Sequence, residues 1–161
     1  MGQYNAKIMA EFNPPRKWVL GRDLSYTTSD LTVDEIKALK GVGIKVKRDT
    51  NKTETITVPT GFITDLASVP RAMWWAIAPF DVARAAIIHD LLYKTIRQYR
   101  WKMKDKEDKE LIKLAKVASD KVFLLAMDDA EPKVAKWKIY SSWKAVDLFG
   151  NGSIIPTEDN I

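Results

Sequence analysis

The chain has 161 residues, of which 46% are hydrophobic and 29% charged, a balance typical of one globular domain with one core. It contains no cysteine, which excludes disulfides, thiol nucleophiles and cysteine-based zinc sites. The formal net charge of +5 is compatible with a nucleic acid or an anionic membrane surface, but we favour a solvated lysine-rich face.

The sequence begins without a long apolar segment, so we predict no signal peptide. No stretch approaches the roughly 20 apolar residues that a membrane span requires. We therefore expect no transmembrane helix, although a lipid surface is still possible as a partner.

The N-terminal third reads as short strands separated by turns. Candidate strands cover residues 6–12, 18–20 and 24–27, and the first is broken by two prolines at 14–15. Thr32 followed by Glu35 is the pattern of a capping box, which predicts a short helix to about Lys40 that stops at Gly41. Alternating residues at 44–47 and 53–58 predict a β-hairpin.

The remainder of the chain reads as helical. Ser68 is a candidate N-cap for a short helix at 72–77, and Asp81 is a candidate cap for a longer helix at 82–98. Further helices are predicted at 111–129 and, starting after Pro132, at 133–148, the last one ending at Gly150. We therefore predict an α+β fold, in which a small antiparallel sheet from the N-terminal third packs against three to four helices. The predicted domain is 1–150, followed by a loose tail at 151–161.

His89 is the only histidine in the chain, and it lies with Asp90 in an otherwise apolar run. A titratable pair in a buried stretch is costly unless it is paired, and burial shifts its proton affinity, as happens at functional sites. On the predicted helix, Asp90 is rotated by about 100° from His89. The apolar stripe that carries His89 comprises Val82, Ala85, Ala86, Leu92, Tyr93 and Ile96.

Asp120 is the one carboxylate on a predicted stripe of the next helix, formed with Val117, Leu124 and Met127. If the two helices pack antiparallel, Asp120 faces His89 and fixes its tautomer, which leaves the other ring nitrogen to take a proton from water. Asp90 would then serve as an oxygen ligand for a hard cation such as calcium. The alternative is a purely structural arrangement, in which His89 is tied to Asp120 or a backbone carbonyl and Asp90 pairs with an arginine such as Arg71, Arg84 or Arg97.

A second group of polar residues lies at 60–71, where strands give way to helices. Such junctions present short polar side chains and backbone N–H groups to a cleft, which makes Thr64 and Ser68 candidate substrate contacts. Asp65 is a candidate second metal ligand, or it holds the loop by bonding to nearby amides. Arg71 is a candidate partner for an anion or carboxylate. The alternative is a capped turn that only fixes the helix entry.

The six tryptophans and the lysines of 102–116 are candidates for a protein interface and for a nucleic-acid site, respectively. Most tryptophans are expected in the core or between helices, and some at an interface. A nucleic-acid site at 102–116 is disfavoured, because four acidic residues in that stretch offset the lysines.

Three blocks of the sequence closely resemble the phage and prophage family known as domain of unknown function 1353. They are VPTGFITDLASVPR at 58–71, AAIIHDLLY at 85–93 and ASDKVFLLAM at 118–127. The resemblance covers roughly residues 53–150, and residues 29–43 look like an insertion relative to the shortest members. It implies a bacteriophage-encoded protein, found in the virion or the host cytoplasm, but it implies no activity.

A second, local resemblance concerns the segment DVARAAIIHDLLY at 81–93, which is similar to the catalytic helix of secreted and parvoviral phospholipases A2. That resemblance implies that His89 is the base, Asp90 the calcium ligand, Asp120 the residue that orients the histidine, and Tyr93 a supporting hydrogen-bond donor. The chain departs from the pattern because it has no glycine-rich calcium loop of that kind, so the loop at 60–70 would have to replace it.

Two functions follow as expectations. The first is a metal-assisted hydrolase of the lipase or esterase type, with His89, Asp120 and Tyr93 as catalytic residues, Asp90 and Asp65 at a divalent cation, and Arg71, Ser68 and Thr64 in contact with substrate. The second is a non-catalytic virion structural or assembly protein, associated with the tail or head, whose partners are other phage proteins.

Overall fold

The computed structural model of the chain describes residues 2–14, 17–64 and 82–161. Within them the fold is α+β, as the sequence predicts. The strands are β1 (Gln3–Tyr4), β2 (Ala10–Asn13), β3 (Lys17–Leu20), β4 (Leu24–Thr28), β5 (Val46–Arg48), β6 (Glu54–Val58) and β7 (Ile63–Thr64). The helices are α1 (Val33–Gly41), α2 (Ala83–Met103), α3 (Lys109–Asp128) and α4 (Lys136–Ser153), with a short 3-10 turn at Lys104–Lys106.

The larger sheet is antiparallel and has the strand order β1-β4-β6-β5. Its hairpin of β5 and β6 confirms the one predicted from the alternating residues, with Val46 opposite Ile56. Residues alternate in burial along β4 and β6 because successive side chains point to opposite faces. One face contributes Tyr26 and Ile56 to the core, and α2 packs against it.

The smaller sheet has the order β2-β3-β7 and is also antiparallel. The strand predicted at 6–12 is instead Ala10–Asn13, paired with β3. Trp18 of β3 lies opposite Thr64 of β7, so this sheet places Thr64 at the edge of the helical layer.

The capping box of α1 is present as predicted. The Thr32 side chain accepts a hydrogen bond from the Glu35 amide, and the Glu35 carboxylate accepts one from the Thr32 amide at 2.7 Å. The helix runs to Gly41 but its C-cap is Val42, and the left-handed residue after it is Gly43 at φ +100°. The helix thus ends at Gly41, where the sequence predicts its stop. A left-handed conformation favours glycine, so the glycine that provides it after the C-cap is Gly43.

α2 and α3 form an antiparallel pair joined by the turn at residues 104–108. Early residues of α2 contact late residues of α3, as His89 does Asp120, and late residues of α2 contact the start of α3, as Arg100 does Glu107. α3 also packs against α1 and α4, which makes it the central helix. The predicted buried stripe of α3 is only partly correct. Val117 is 52% exposed, and the buried face of the helix is rotated away from it, towards Lys116 and Phe123.

α4 differs most from the prediction. It begins at Lys136 rather than just after Pro132, and it continues through Gly150 to Ser153. Gly150 is therefore a buried helical residue and not a helix stop. A Cβ there would lie 2.2 Å from the Tyr93 hydroxyl, so this glycine allows α4 to approach the Tyr93 side chain of α2.

Residues 151–161, predicted as a loose tail, carry several contacts with α2. The Arg97 guanidinium donates to the carbonyls of Ser153 and Asn160, and Arg100 donates to the carbonyl of Ile154, whose side chain is buried. The helix predicted at 72–77 and the caps Ser68 and Asp81 lie outside the described residues. In the part of the chain that is described, no helix has the length and apolar character needed to span a bilayer.

Candidate functional site

His89 and Asp120 form a hydrogen-bonded pair between α2 and α3. The Nε2 of His89 lies 3.0 Å from the Oδ1 of Asp120, and both side chains are buried. The buried stripe of α2 aims His89 at the helix interface, as predicted, and α3 supplies the carboxylate. Two helical stripes 31 residues apart in sequence thus meet at one polar point in the core.

Asp120 also contacts two further polar side chains. The Tyr93 hydroxyl donates to Oδ1 at 2.7 Å. The Nζ of Lys116, one helical turn before Asp120, lies 2.8 Å from Oδ2 and forms an ion pair with it. A buried carboxylate with three such neighbours is well compensated for the loss of water.

The protonation states follow from burial and these contacts. Burial lowers the pKa of His89 and outweighs the opposing effect of Asp120, so the imidazole is neutral near pH 7. Burial alone would raise the pKa of Asp120, but the hydrogen bond and charge of His89, with Lys116 and Tyr93, hold it below its usual value. Burial and the Asp120 charge raise the pKa of Tyr93, which keeps this phenol a donor.

These states define the tautomer of His89. An ionised Asp120 can only accept, so the proton of the neutral imidazole lies on Nε2. Nδ1 is therefore an unprotonated base, and it is buried without a hydrogen-bond partner among the described residues. The imidazole packs against the rings of Tyr93 and Phe123, with centroids 4.0 and 4.8 Å away, which fixes its orientation.

Lys116 connects this network to α4. Its Nζ donates to the backbone carbonyl of Asp147 at 2.9 Å, and its side chain is 6% exposed. Gly150, one turn further along α4, lies against both Tyr93 and the end of the Lys116 side chain. Three helices thus contribute to one polar cluster, which we call the His89 network: His89, Tyr93, Lys116 and Asp120, with the Asp147 carbonyl.

A cavity of about 470 Å³ lies beside the His89 network. Its described lining includes Tyr93 and Asp90 from α2, Thr64 from β7, and the cations Lys17 and Lys94. The Thr64 hydroxyl donates to the Asp90 carboxylate. Tyr93 belongs to both the network and the cavity wall, whereas His89 is not among the described residues that line the cavity and has no exposed surface.

The predicted site residues divide into three groups. His89, Tyr93 and Asp120 are in direct contact, and Asp90 and Thr64 are together at the neighbouring cavity. Asp65, Ser68 and Arg71 lie outside the described residues. Across 2–14, 17–64 and 82–161, no group of three or more His, Cys, Asp or Glu side chains could hold a metal. Asp90 and Thr64 alone fall short of the six to eight oxygens that calcium takes.

Sequence reasoning missed Lys116, Phe123 and Gly150 as parts of the site. Lys116 enters the sequence predictions only as one of the lysines of 102–116 considered for nucleic-acid binding. Its position four residues before Asp120 gives a one-turn spacing at which opposite charges can pair. Gly150 was interpreted as a helix end. Only the approach of Gly150 to the Tyr93 side chain distinguishes a glycine required for contact from one that ends a helix.

The chain belongs to the family described as "Protein of unknown function (DUF1353)", whose model matches residues 42–146. The match includes α2, α3 and the four side chains of the His89 network. Asp147, whose carbonyl completes the network, lies one residue beyond the match. No curated protein and no solved structure matches the chain significantly.

Proposed function

We propose that the protein is a hydrolase of an ester or another acyl bond, in which His89 activates water. The observation that carries this is the different state of the two imidazole nitrogens. Nε2 donates its proton to Asp120 at 3.0 Å, and Nδ1 is an unprotonated base without a partner in the described residues. A neutral, oriented histidine with one unoccupied nitrogen is the arrangement a general base requires.

The proposed reaction requires that water from the neighbouring cavity reaches the buried Nδ1 of His89, which has no exposed surface in the closed fold. Nδ1 then takes a proton from that water molecule while the water oxygen attacks the acyl carbon. Asp120 stabilises the imidazolium that forms, and Tyr93 keeps the carboxylate in place. The proton then passes from Nδ1 to the leaving alkoxide. Thr64 and Asp90 border the cavity in which the acyl group would lie, and Ser68 and Arg71 are proposed as further substrate contacts.

A divalent cation, with calcium as first choice, is part of the proposal. Asp90 would be one ligand and Asp65 another, with backbone oxygens completing the set. When bound, the ion would polarise the acyl oxygen. The proposal also includes phage encoding, which rests on the resemblance of the three sequence blocks, and a location in the virion or the host cytoplasm.

The test is hydrolysis of p-nitrophenyl butyrate and of phosphatidylcholine and phosphatidylglycerol vesicles, with calcium or with a chelator. We expect His89→Gln and Asp120→Asn to lower the rate about 10²-fold or more, and Asp90→Asn to abolish the calcium dependence. Asp129→Asn is the matched control, because Asp129 also accepts a bond from a tyrosine hydroxyl, that of Tyr26 at 2.7 Å, but lies outside the network. Wild-type rates equal to those of His89→Gln on every substrate would refute the hydrolase.

A second candidate is a non-catalytic virion structural or assembly protein. It is favoured by the complete burial of His89 and by the Lys116 ion pair, which already neutralises Asp120. In that case the network only joins three helices. The expected result is protein in purified phage particles at a fixed stoichiometry, and its absence from particles would exclude this role.

A further inference from the structure

The outer face of α4 carries large apolar side chains that the fold leaves in solvent. Trp137, Tyr140 and Leu148 are each more than half exposed. On the same helix Ile139 and Val146 are buried, so α4 already has a core-facing side. The exposed residues therefore add nothing to the core, and a clustered apolar surface of this kind usually marks a site of interaction.

The spacing of these residues places them along one surface. Trp137, Tyr140, Lys144 and Leu148 follow each other at intervals of three and four, and such positions share a helix face. Phe149 is exposed as well, but it lies more than 90° around the helix from this face. We call Trp137, Tyr140 and Leu148 the outer face of α4.

Basic residues accompany the outer face. Between residues 132 and 153 the chain has four lysines, Lys133, Lys136, Lys138 and Lys144, and one acidic residue, Asp147. Lys144 forms an ion pair with Asp147, and Lys136 forms one with Asp128 at the end of α3. The ammonium groups of Lys138 and Lys144 lie 5.9 and 5.6 Å from the ring centroids of Trp137 and Trp143. Aromatic and cationic groups are thus interleaved. Four lysines against the two carboxylates of Asp128 and Asp147 leave a surplus of positive charge, which complements an anionic partner.

We propose that the outer face of α4 binds the surface of an anionic lipid bilayer. Tryptophan and tyrosine favour the boundary between headgroups and acyl chains, and lysines pair with anionic headgroups. A protein interface is less well matched, because the centres of such interfaces are depleted of lysine. This inference does not depend on catalysis by His89, although a lipid substrate would make the two complementary.

The test is co-sedimentation of the full chain with vesicles of phosphatidylcholine alone and of phosphatidylcholine with phosphatidylglycerol. We expect binding to the anionic vesicles that weakens with added salt. Replacing both Trp137→Ser and Leu148→Ser should lower the partition coefficient at least about tenfold, because two large side chains no longer enter the bilayer. Lys144→Gln should lower it about fivefold.

Matched controls distinguish vesicle binding by the outer face from nonspecific binding by any exposed side chain. Met9, just before β2, and Val33, at the start of α1, are also more than half exposed but lie outside α4. Met9→Ser with Val33→Ser should keep the partition coefficient within about twofold. Lys106→Gln, in the turn after α2, controls for Lys144→Gln. His89→Gln should bind vesicles normally, which keeps this test separate from the hydrolase assay.

Two results would overturn the proposal. One is wild-type protein that stays in the supernatant with anionic vesicles. The other is vesicle binding that the Trp137→Ser and Leu148→Ser variant retains in full. If that same variant instead abolishes a concentration-dependent dimer and no vesicle binding occurs, the outer face is a contact between copies of the chain and the lipid assignment is wrong.

Discussion

Gly150 of α4 lies directly against the hydroxyl group of Tyr93 on α2, so closely that a Cβ on Gly150 would be 2.2 Å from the phenolic oxygen. Because the same hydroxyl donates to Asp120 at 2.7 Å, the backbone of α4 sets the position of a donor in the His89 network. The fourth helix is therefore part of the site, although no side chain of Gly150 takes part.

Gly150→Ala is expected to destabilise the protein by about 1–3 kcal/mol, because the added methyl group must displace Tyr93 or α4 in a packed interior. Gly152→Ala is the control in the same helix, since a Cβ there meets nothing within 4 Å. It should leave stability unchanged or raise it by up to about 1 kcal/mol. Urea unfolding followed by circular dichroism measures both, and equal effects at the two positions would contradict the packing role.

His89 gives the stability a pH dependence that can be isolated because the chain has no other histidine. Burial lowers the pKa of His89 in the folded state, so below its unfolded pKa of about 6.5 the unfolded chain binds a proton that the folded chain does not. Stability is therefore lost as pH falls from about 6.5 towards the folded pKa, by at most about 1.4 kcal/mol per pH unit.

The measurement is the free energy of unfolding at pH 7.5 and at pH 5.5 for wild type and His89→Gln. The difference between the two pH values should be smaller in the variant by about 1 kcal/mol. Asp120 does not obscure this comparison: its lowered pKa makes its contribution present above the unfolded pKa of about 3.9 and lost only as pH falls further. An identical pH dependence in both proteins would show that His89 is not held neutral.

Lys116 and Asp120 should behave as a coupled pair. Removing one partner leaves a buried charge without its counter-charge, so Lys116→Met and Asp120→Asn are each expected to cost about 3–5 kcal/mol. The double variant should cost less than the sum, with a coupling energy of about 1–3 kcal/mol. A double-mutant cycle by chemical denaturation tests this, and strictly additive losses would mean that the 2.8 Å contact contributes no net stability.

Tyr93→Phe removes one donor from Asp120 without changing the shape of the ring. The carboxylate loses a hydrogen bond in a buried site, which should cost about 1–3 kcal/mol. Tyr99→Phe, further along α2 and only partly buried, is the control and should change stability by less than about 0.5 kcal/mol.

In the same Tyr93 variant, a more mobile Asp120 should be visible as a shifted and broadened imidazole resonance of His89 by NMR. An unchanged resonance would argue against a positioning role for Tyr93.

Local sequence signals were sufficient where a structure depends on near neighbours. The Thr32 and Glu35 capping box, the β5–β6 hairpin and the buried stripe of α2 all follow from residues within a few positions of each other. The meeting of His89 with Asp120 could be predicted because each lies on a periodic helical face. The exposed Val117 shows the limit: a helix packed on three sides has a wide buried face, and periodicity alone does not locate its centre.

The sequence by itself determined the fold class, the family blocks and the two helices whose faces carry a lone imidazole and a distant carboxylate, because these depend on periodicity and local capping. Only the tertiary structure decided that Lys116 is buried beside that carboxylate, that α4 approaches closely through Gly150, and that Trp137 and Leu148 remain in solvent. Those outcomes depend on how the helices pack around α3, and packing between distant segments leaves no local pattern in the chain.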